Sequence, residues 1–441
     1  MQALDPKVLA QEMHALITRL YPICRSITGN GIRETLSLLG DRIPIKVHEV
    51  PSGTKVFDWV VPQEWNIRDA WIKKSSGERL VDFQKLNLHV MSYSMPVHGR
   101  MRLADLREHL FTVPGHPDWV PYRTSYYNKA WGFCLSENQL KQFQDSEEYD
   151  VCIDSSLTDG NLTYGEYHIP GEQREEVLIS CHVCHPSLAN DNLSGIALAA
   201  ALAEYLRTSQ RRYSYRFLFI PGTIGSIAWL ARNENVVSLI RHGLVLTCVG
   251  DAGNITYKRS RRGDTEIDRA FAHVLKLSGE PHRVIDFFPY GYDERQYCSP
   301  GFNLPVGCFM RSQHGEFPEY HTSGDNLSFV KVDALADSFA KCCSVIEVIE
   351  HNRIYVNRKP KCEPQLGARG LYQGLGSGQE KRNHEMALLW VLNLSDGSHS
   401  LLDIAERANL SFNIINSAAA ALVATDLLET ADVNEPSVDP R

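Results

Sequence analysis

Two imidazoles and a carboxylate crowd into ten residues of this chain: His182 and His185 in Ser180-Cys181-His182-Val183-Cys184-His185-Pro186, then Asp191 in Asn190-Asp191-Asn192. Val177, Leu178 and Ile179 before them have the length of a buried strand, and Ser194-Gly195 after them leads into an alanine-rich helical run. A strand, a polar loop and a helix start put these side chains at the carboxyl end of a strand, where open α/β sheets collect their sites. Such a donor set suits a divalent ion. Three other readings compete. Cys181-His182-Val183-Cys184-His185 matches the short C-x-x-C-H pattern of haem attachment, which belongs to exported chains. A cysteine zinc knuckle needs a second spaced pair, and Cys342-Cys343 is adjacent within a helical run. The plainest reading is two hydrogen-bonded loop histidines with Asp191 as a helix cap. Recurrence favours the metal: Asp251 follows the apolar run Leu244–Gly250, and His321 stands in Glu319-Tyr320-His321-Thr322-Ser323-Gly324-Asp325.

The elements that would carry these residues follow from apolar spacing. Residues 6–24 and 30–40 have a 3.6-residue period and predict helices, and 43–50 predicts a strand. From Pro51 to about Ser155 aromatics, prolines and short β-type runs predict a small β-rich module. Residues 149–169 read as a hairpin with Asp159-Gly160 near its turn. Beyond it, strands at 215–221, 244–250, 283–288 and 305–310 alternate with helices at 192–209, 224–237, 267–278 and 331–350. That alternation predicts an α/β fold, a mixed, mostly parallel sheet covered by helices on both faces. Residues 361–380 are glycine-rich and read as a linker, followed by three short helices of winged-helix-like spacing.

At 441 residues the chain suggests more than one domain, and its composition is that of a globular protein. A net charge of −8 gives no electrostatic pull toward nucleic acid or anionic lipid. From Lys381 to Arg441 nine Asp and Glu oppose four Lys and Arg, so the terminal helices lack the cations that DNA binding needs. No apolar run reaches membrane-span length and the N-terminus has no secretory core, so the chain is expected in the cytoplasm with its eleven cysteines reduced and packed.

Taken together, the order His, Asp-Asn-x-Ser-Gly, strand-end Asp and Tyr-His-Thr-Ser resembles the zinc aminopeptidase clan with co-catalytic metals. More closely, Arg25-Ser26-Ile27-Thr28-Gly29, Pro51-Ser52-Gly53-Thr54, Phe57-Asp58-Trp59, Cys184-His185-Pro186-Ser187 and Tyr320-His321-Thr322-Ser323 resemble bacterial proteins with an aminopeptidase-like domain, a small insert and a C-terminal winged helix. The resemblance covers nearly the whole chain. It implies an aminopeptidase-like domain over 1–60 and 155–360, a β-rich insert over 61–154, and a winged-helix-like module over 381–441. It also implies one or two zinc ions, with Asp191 as the bridging carboxylate, His182 or His185 before it, Asp251 completing one ion and His321 the other. Tyr292, Asp293, Arg295 and Tyr320 are expected at the substrate end of the cleft.

Two departures from the clan stand out. Cys184 occupies the place of an Asp that orients the first histidine, and Phe219–Ser226 carries no carboxylate where the clan has a Glu pair. Glu316 and Glu319, beside His321, are the nearest substitutes for the missing base. The expected function is a metal-dependent amide hydrolase acting on a short peptide or small molecule, with no nucleic-acid or membrane partner and a homo-oligomer as an option. The alternative is a non-catalytic metal-binding or scaffolding protein that has lost its base, with a transcription regulator third. The basic run Lys258-Arg259-Ser260-Arg261-Arg262 could meet an anionic substrate group, but reads more readily as a solvated loop.

Overall fold

The apolar run around Ile179 becomes the middle of an eight-stranded sheet. The structure, a computed structural model, describes residues 6–372 and 379–431. In chain order the strands are β1 (Lys46–Pro51), β2 (Asn161–Ile169), β3 (Glu176–His182), β4 (Ser214–Ile220), β5 (Ile240–Leu246), β6 (Ile255–Lys258), β7 (His282–Ile285) and β8 (Val306–Met310). They lie in the order β1-β2-β4-β3-β5-β8-β6-β7. β4, β3, β5 and β8 are mutually parallel, β1, β2 and β4 pair antiparallel, and β6 runs against β8. Every residue of β3 is buried, as a parallel strand covered on both faces requires. Its register with β4 carries it to His182 opposite Ile220, which puts the first histidine at the sheet's central carboxyl edge.

Three expectations need correction. Residues 149–169 do not form a hairpin. Glu148–Thr158 joins a separate four-stranded sheet between Glu64–Lys73 and Val97–Arg102, whereas β2 joins the main sheet between β1 and β4. Both edges of each strand are already taken, so the turn at Asp159-Gly160 carries the chain from one sheet to the other. β5 ends at Leu246 rather than Gly250. Cys248 has φ +49, and the N–H groups of Cys248, Val249 and Gly250 donate to side chains of Asn192, Ser194 and Asn190. Lys258 is no part of a solvated loop: it closes β6, fully buried, and pairs with Glu294 at 2.8 Å.

Two compact units emerge. The first takes in the described residues up to Thr265 together with Pro281–Ala340, and residues 61–154 fall inside it. The second takes in Glu266–Glu280 with the described residues from Lys341 on. In this second unit the helices Gln379–Leu394, Leu401–Ala408 and Phe412–Ala424 accompany a three-stranded antiparallel sheet of Asp396–Ser400, Ile354–Asn357 and Leu428–Thr430, a winged helix. Arg269 ties the helix Glu266–Ser278 to Asp403 and Glu406. Of the stretch read as a linker, 373–378 lies outside the described residues, as does 432–441 of the terminal module. No helix among the described residues is long and apolar enough to cross a membrane. Eight of the eleven cysteines are buried, packed as small apolar groups.

His242 on β5 supplies a pH prediction. It is buried, and neither ring nitrogen has a hydrogen-bond partner. Burial lowers its pKa from 6.5 to about 3, with Arg212 and Arg241 adding to the effect. The unfolded chain therefore binds this proton more readily than the folded one. The stability tied to a neutral ring is complete above about pH 6.5 and is lost as pH falls toward 3. His242→Phe removes a titrating ring that has no hydrogen bond to lose. Its urea midpoint should fall less steeply than the parent's between pH 6.5 and about pH 4.

Candidate metal centre

The loop after β3 is held from three directions. Arg25, itself buried, donates from Nε to the carbonyl of His185 at 2.9 Å and from Nη1 to Leu20. Burial lowers the pKa of its guanidinium to about 10. Asp325 accepts from the backbone N–H groups of Asn190 and Asp191 at 2.6 and 2.8 Å. The side chains of Asn190 and Asn192 are pegged into the loop after β5, to Gly250, Asp251, Leu246 and Cys248. Gly195 must be glycine because a Cβ there would lie 2.4 Å from the Asn192 side chain and 2.6 Å from the Leu246 carbonyl. The helix Gly195–Thr208 therefore begins directly behind the pegged loop.

That scaffold leaves Asp191 fully buried at a point where three imidazoles converge. His182 Nε2 hydrogen-bonds to Oδ1 at 2.9 Å, His185 Nδ1 lies 3.2 Å from Oδ2, and His321 Nε2 lies 3.1 Å from Oδ2. Tyr292 donates its hydroxyl to Oδ2 at 2.9 Å and stacks on the His182 ring. One ligand atom each from His182, His185 and Asp191 fit within 4.8 Å of one another. Burial raises the Asp191 carboxyl, but the imidazoles of His185, His182 and His321 more than offset this and hold it well below the ordinary range. Burial also lowers the His182 imidazole to about 4, against the pull of Asp191. Neutral imidazoles and an ionised carboxylate are the protonation states a divalent ion requires. His321 Nε2 is buried at ion-pair distance without hydrogen-bond alignment, so it is an orphaned donor atom facing the carboxylate. These residues fit a divalent ion.

His321 reaches this point through a strained turn, with φ +55. Residues 120–122 hold that turn: Tyr122 donates to the His321 carbonyl at 2.7 Å, Ser323 donates to the Val120 carbonyl, and Val120 donates to Ser323 Oγ. The Tyr122 ring stands edge-on to both His185 and His321. Its contribution could not be read from sequence, since no local pattern links residue 122 to 321.

The other expected residues fall in different places. Asp251 is buried in hydrogen bonds from Gly253 N, Ser312 Oγ and Asn190 Nδ2, which brace the loop after β5. It is not among the residues whose ligand atoms converge. Glu316 is half exposed and pairs with Arg283 at 3.0 Å. Glu319 sits in the turn before His321, where its carbonyl accepts from Thr322. Tyr320 hydrogen-bonds to Tyr292 through the hydroxyls. Where the resemblance expects an Asp orienting His182, Cys184 turns its Sγ toward the Gly222 carbonyl at 3.7 Å, and Asn192 Nδ2 approaches His182 Nδ1 at 3.3 Å. A side chain at Gly222 would lie 3.1 Å from His182 Cβ and 3.6 Å from both Asp293 oxygens. Asp293 is fully buried, with Oδ1 accepting from Ser226 Oγ at 2.8 Å and Oδ2 unpartnered. Burial raises its carboxyl to about 7.

In front of Tyr292 opens a cleft of about 260 Å³, whose walls include Trp59, Tyr126, Gly222, Tyr290, Arg295 and His314.

A family model described as Domain of unknown function (DUF4910) matches residues 14–352, and one described as winged helix-turn-helix matches 353–430. A Clostridium acetobutylicum protein, provisionally described as a polysaccharide biosynthesis protein with an aminopeptidase-like domain, is 54% identical over 418 residues, covering 95% of this chain and 96% of that one. A crystal structure from Clostridium acetobutylicum, provisionally described as a peptidase, superposes with a TM-score of 0.92 at 52% identity over 96% of this chain and 97% of that one. The zinc aminopeptidase BSAP from Bacillus subtilis shares the fold, with a TM-score of 0.55 at 12% identity over 77% of this chain and 94% of its own.

Proposed function

From a chain that belongs to the family described as Domain of unknown function (DUF4910) and carries an aminopeptidase-like fold, we propose a metal-dependent hydrolase that cleaves an amide bond in a short peptide or small molecule. The observation that carries this reading is the convergence of His182, His185 and His321 on the buried Asp191 at the carboxyl edge of the central strands. Those four residues would hold a divalent ion, zinc by the chemistry of its fold neighbours. Such an ion supplies Lewis acidity to an amide carbonyl and to water.

The chain's own residues supply the rest. Tyr292 orients Asp191 through its hydroxyl and packs on His182, and with Tyr320 it forms the floor of the cleft. A proton acceptor is also needed, and the loop after β4 offers Pro221-Gly222-Thr223 with no carboxylate. Glu319, beside His321, is one candidate; Glu316 faces Arg283 instead. Asp293 is better placed by packing, since both its oxygens face the space that a side chain at Gly222 would occupy, beside His182. Its raised carboxyl, near 7, suits a group that takes and returns a proton near neutrality.

The name of the Clostridium acetobutylicum relative favours an amide within a polysaccharide precursor as the substrate. The bare loop at Gly222 favours the rival reading, a scaffold that binds metal without turnover. The terminal helix Phe412–Ala424 has no basic residue, in keeping with a partner other than nucleic acid.

Zinc titration of the full chain followed by an amide panel decides among these. The expected result is stoichiometric zinc and turnover of at least one amide, with Asp293→Asn keeping its zinc and losing about 100- to 10,000-fold in turnover. Zinc without turnover anywhere in the panel leaves the scaffold reading, and no zinc at all removes both.

A further inference from the structure

The cleft in front of Tyr292 is lined by aromatic and aliphatic residues, and no Asp or Glu lines it. Two of its side chains carry donors with nothing to bind. Arg295 forms no ion pair with a described residue, and its buried Nε has no hydrogen-bond partner. His314 is 4% exposed, and neither ring nitrogen has a partner. Of the acidic neighbours of Arg295, Glu294 is engaged elsewhere, and Asp293 keeps Oδ2 unpartnered. Glu294 takes Lys258 Nζ on one oxygen and the Tyr292 N–H on the other, and Asp293 takes Ser226 Oγ on Oδ1. Burial raises the Asp293 carboxyl to about 7, so it offsets the guanidinium charge only in part.

A buried guanidinium nitrogen and an imidazole left without partners are costly unless a ligand pairs them. A planar guanidinium matches the paired oxygens of a carboxylate or phosphate. The wall beside these donors is aromatic, with Trp59, Tyr126, Tyr127 and Tyr290 presenting ring surface.

We propose that Arg295 and His314 form an oxyanion site, and that the substrate is an amide carrying a carboxylate or phosphate close to a ring or other flat apolar group. This rests on the hydrolase reading for the word substrate, while the binding of the anion stands on the cleft alone. The neutral imidazole of His314, whose pKa burial lowers, contributes one N–H, and Arg295 contributes the charge.

The test uses the full chain, with and without zinc, and matched probes. N-benzoylglycine is compared with N-benzoylglycinamide, and N-benzoyl-O-phosphoethanolamine with N-benzoylethanolamine. Binding is read by calorimetry and cleavage by the released amine. The charged member of at least one pair should bind about tenfold or more tighter, as charge-assisted hydrogen bonds allow, and which pair shows the larger ratio separates carboxylate from phosphate. Arg295→Gln should bring the ratio close to one, Arg295→Lys should restore part of it, and His314→Gln should lower it by a smaller factor. Circular dichroism confirms that each variant folds, and if Arg295→Gln does not, His314→Gln carries the test. A ratio near one in the parent overturns the oxyanion site even if amides are cleaved. A preference without cleavage keeps the site and counts against the hydrolase. A preference that vanishes on zinc removal, or that survives in both Arg295→Gln and His314→Gln, belongs to another group and overturns the assignment.

Discussion

Asp191→Ala is expected to abolish divalent-ion binding, lowering zinc affinity by at least about 100-fold and removing turnover with it. Removing groups that only orient a metal ligand already costs about 10–100-fold in affinity, and Asp191 is the carboxylate on which every imidazole of the cluster converges. The variant leaves His182, His185 and His321 without the carboxylate on which they converge, and it takes one hydrogen-bond acceptor from the Tyr292 hydroxyl. Asp191→Asn is the companion that keeps the side chain's shape, so it should retain more of the melting temperature while still losing the ion. Metal analysis after dialysis, alongside thermal melts of both variants, checks this. Stoichiometric zinc surviving in Asp191→Ala would show that the ion sits elsewhere.

Lys258→Met carries the next largest effect, on stability: about 3–5 kcal/mol lost, because one partner of a fully buried ion pair is left alone. Lys258 Nζ donates at 2.8 Å to both Glu294 Oε1 and the Tyr290 carbonyl, and Glu294 Oε2 accepts from the Tyr292 N–H. The pair therefore shapes the turn that presents Tyr292 to Asp191. Loss of the ammonium should lower the urea midpoint and weaken zinc binding together. Lys258→Met combined with Glu294→Gln removes the stranded charge while keeping an acceptor for Tyr292. It should recover a large part of the stability, and a double variant no more stable than the single one would argue against stranded charge as the cause.

What could be read from the residues alone follows the distance over which each piece of information acts. β3 was legible because a strand buried on both faces is an unbroken apolar run, and His182, His185 and Asp191 because one loop holds all three. His321 needed the recurrence of strand-end chemistry, and its family motif, to be connected with a loop far earlier in the chain. Lys258 misled, since a basic run reads as solvated until the structure brings Glu294 against it. Residues 149–169 misled for a related reason: a turn signal says that the chain reverses, not which sheet each arm will join. Arg25 and Asp325 were visible only as members of motifs. Their work, clamping the liganding loop across 160 and about 135 positions, has no local signature. Gly222 is the exception: its departure is plain in the sequence, while the Asp293 carboxylate beside it is brought there by the fold.

The hydrogen bonds between residues 120–122 and the His321 turn couple two parts of the chain reciprocally. A strained turn persists only where its surroundings over-determine it, and here much of that constraint comes from a part of the chain that supplies no ligand. Free-energy coupling between two sites runs equally in both directions. An ion that fixes His321 must therefore raise the cost of locally opening the segment around Tyr122, and any change that loosens that segment must weaken the hold on the ion by the same amount. A substitution in the segment around Tyr122 would therefore reach an ion held by His321 through two backbone–backbone hydrogen bonds and one to Ser323 Oγ, without touching any ligand.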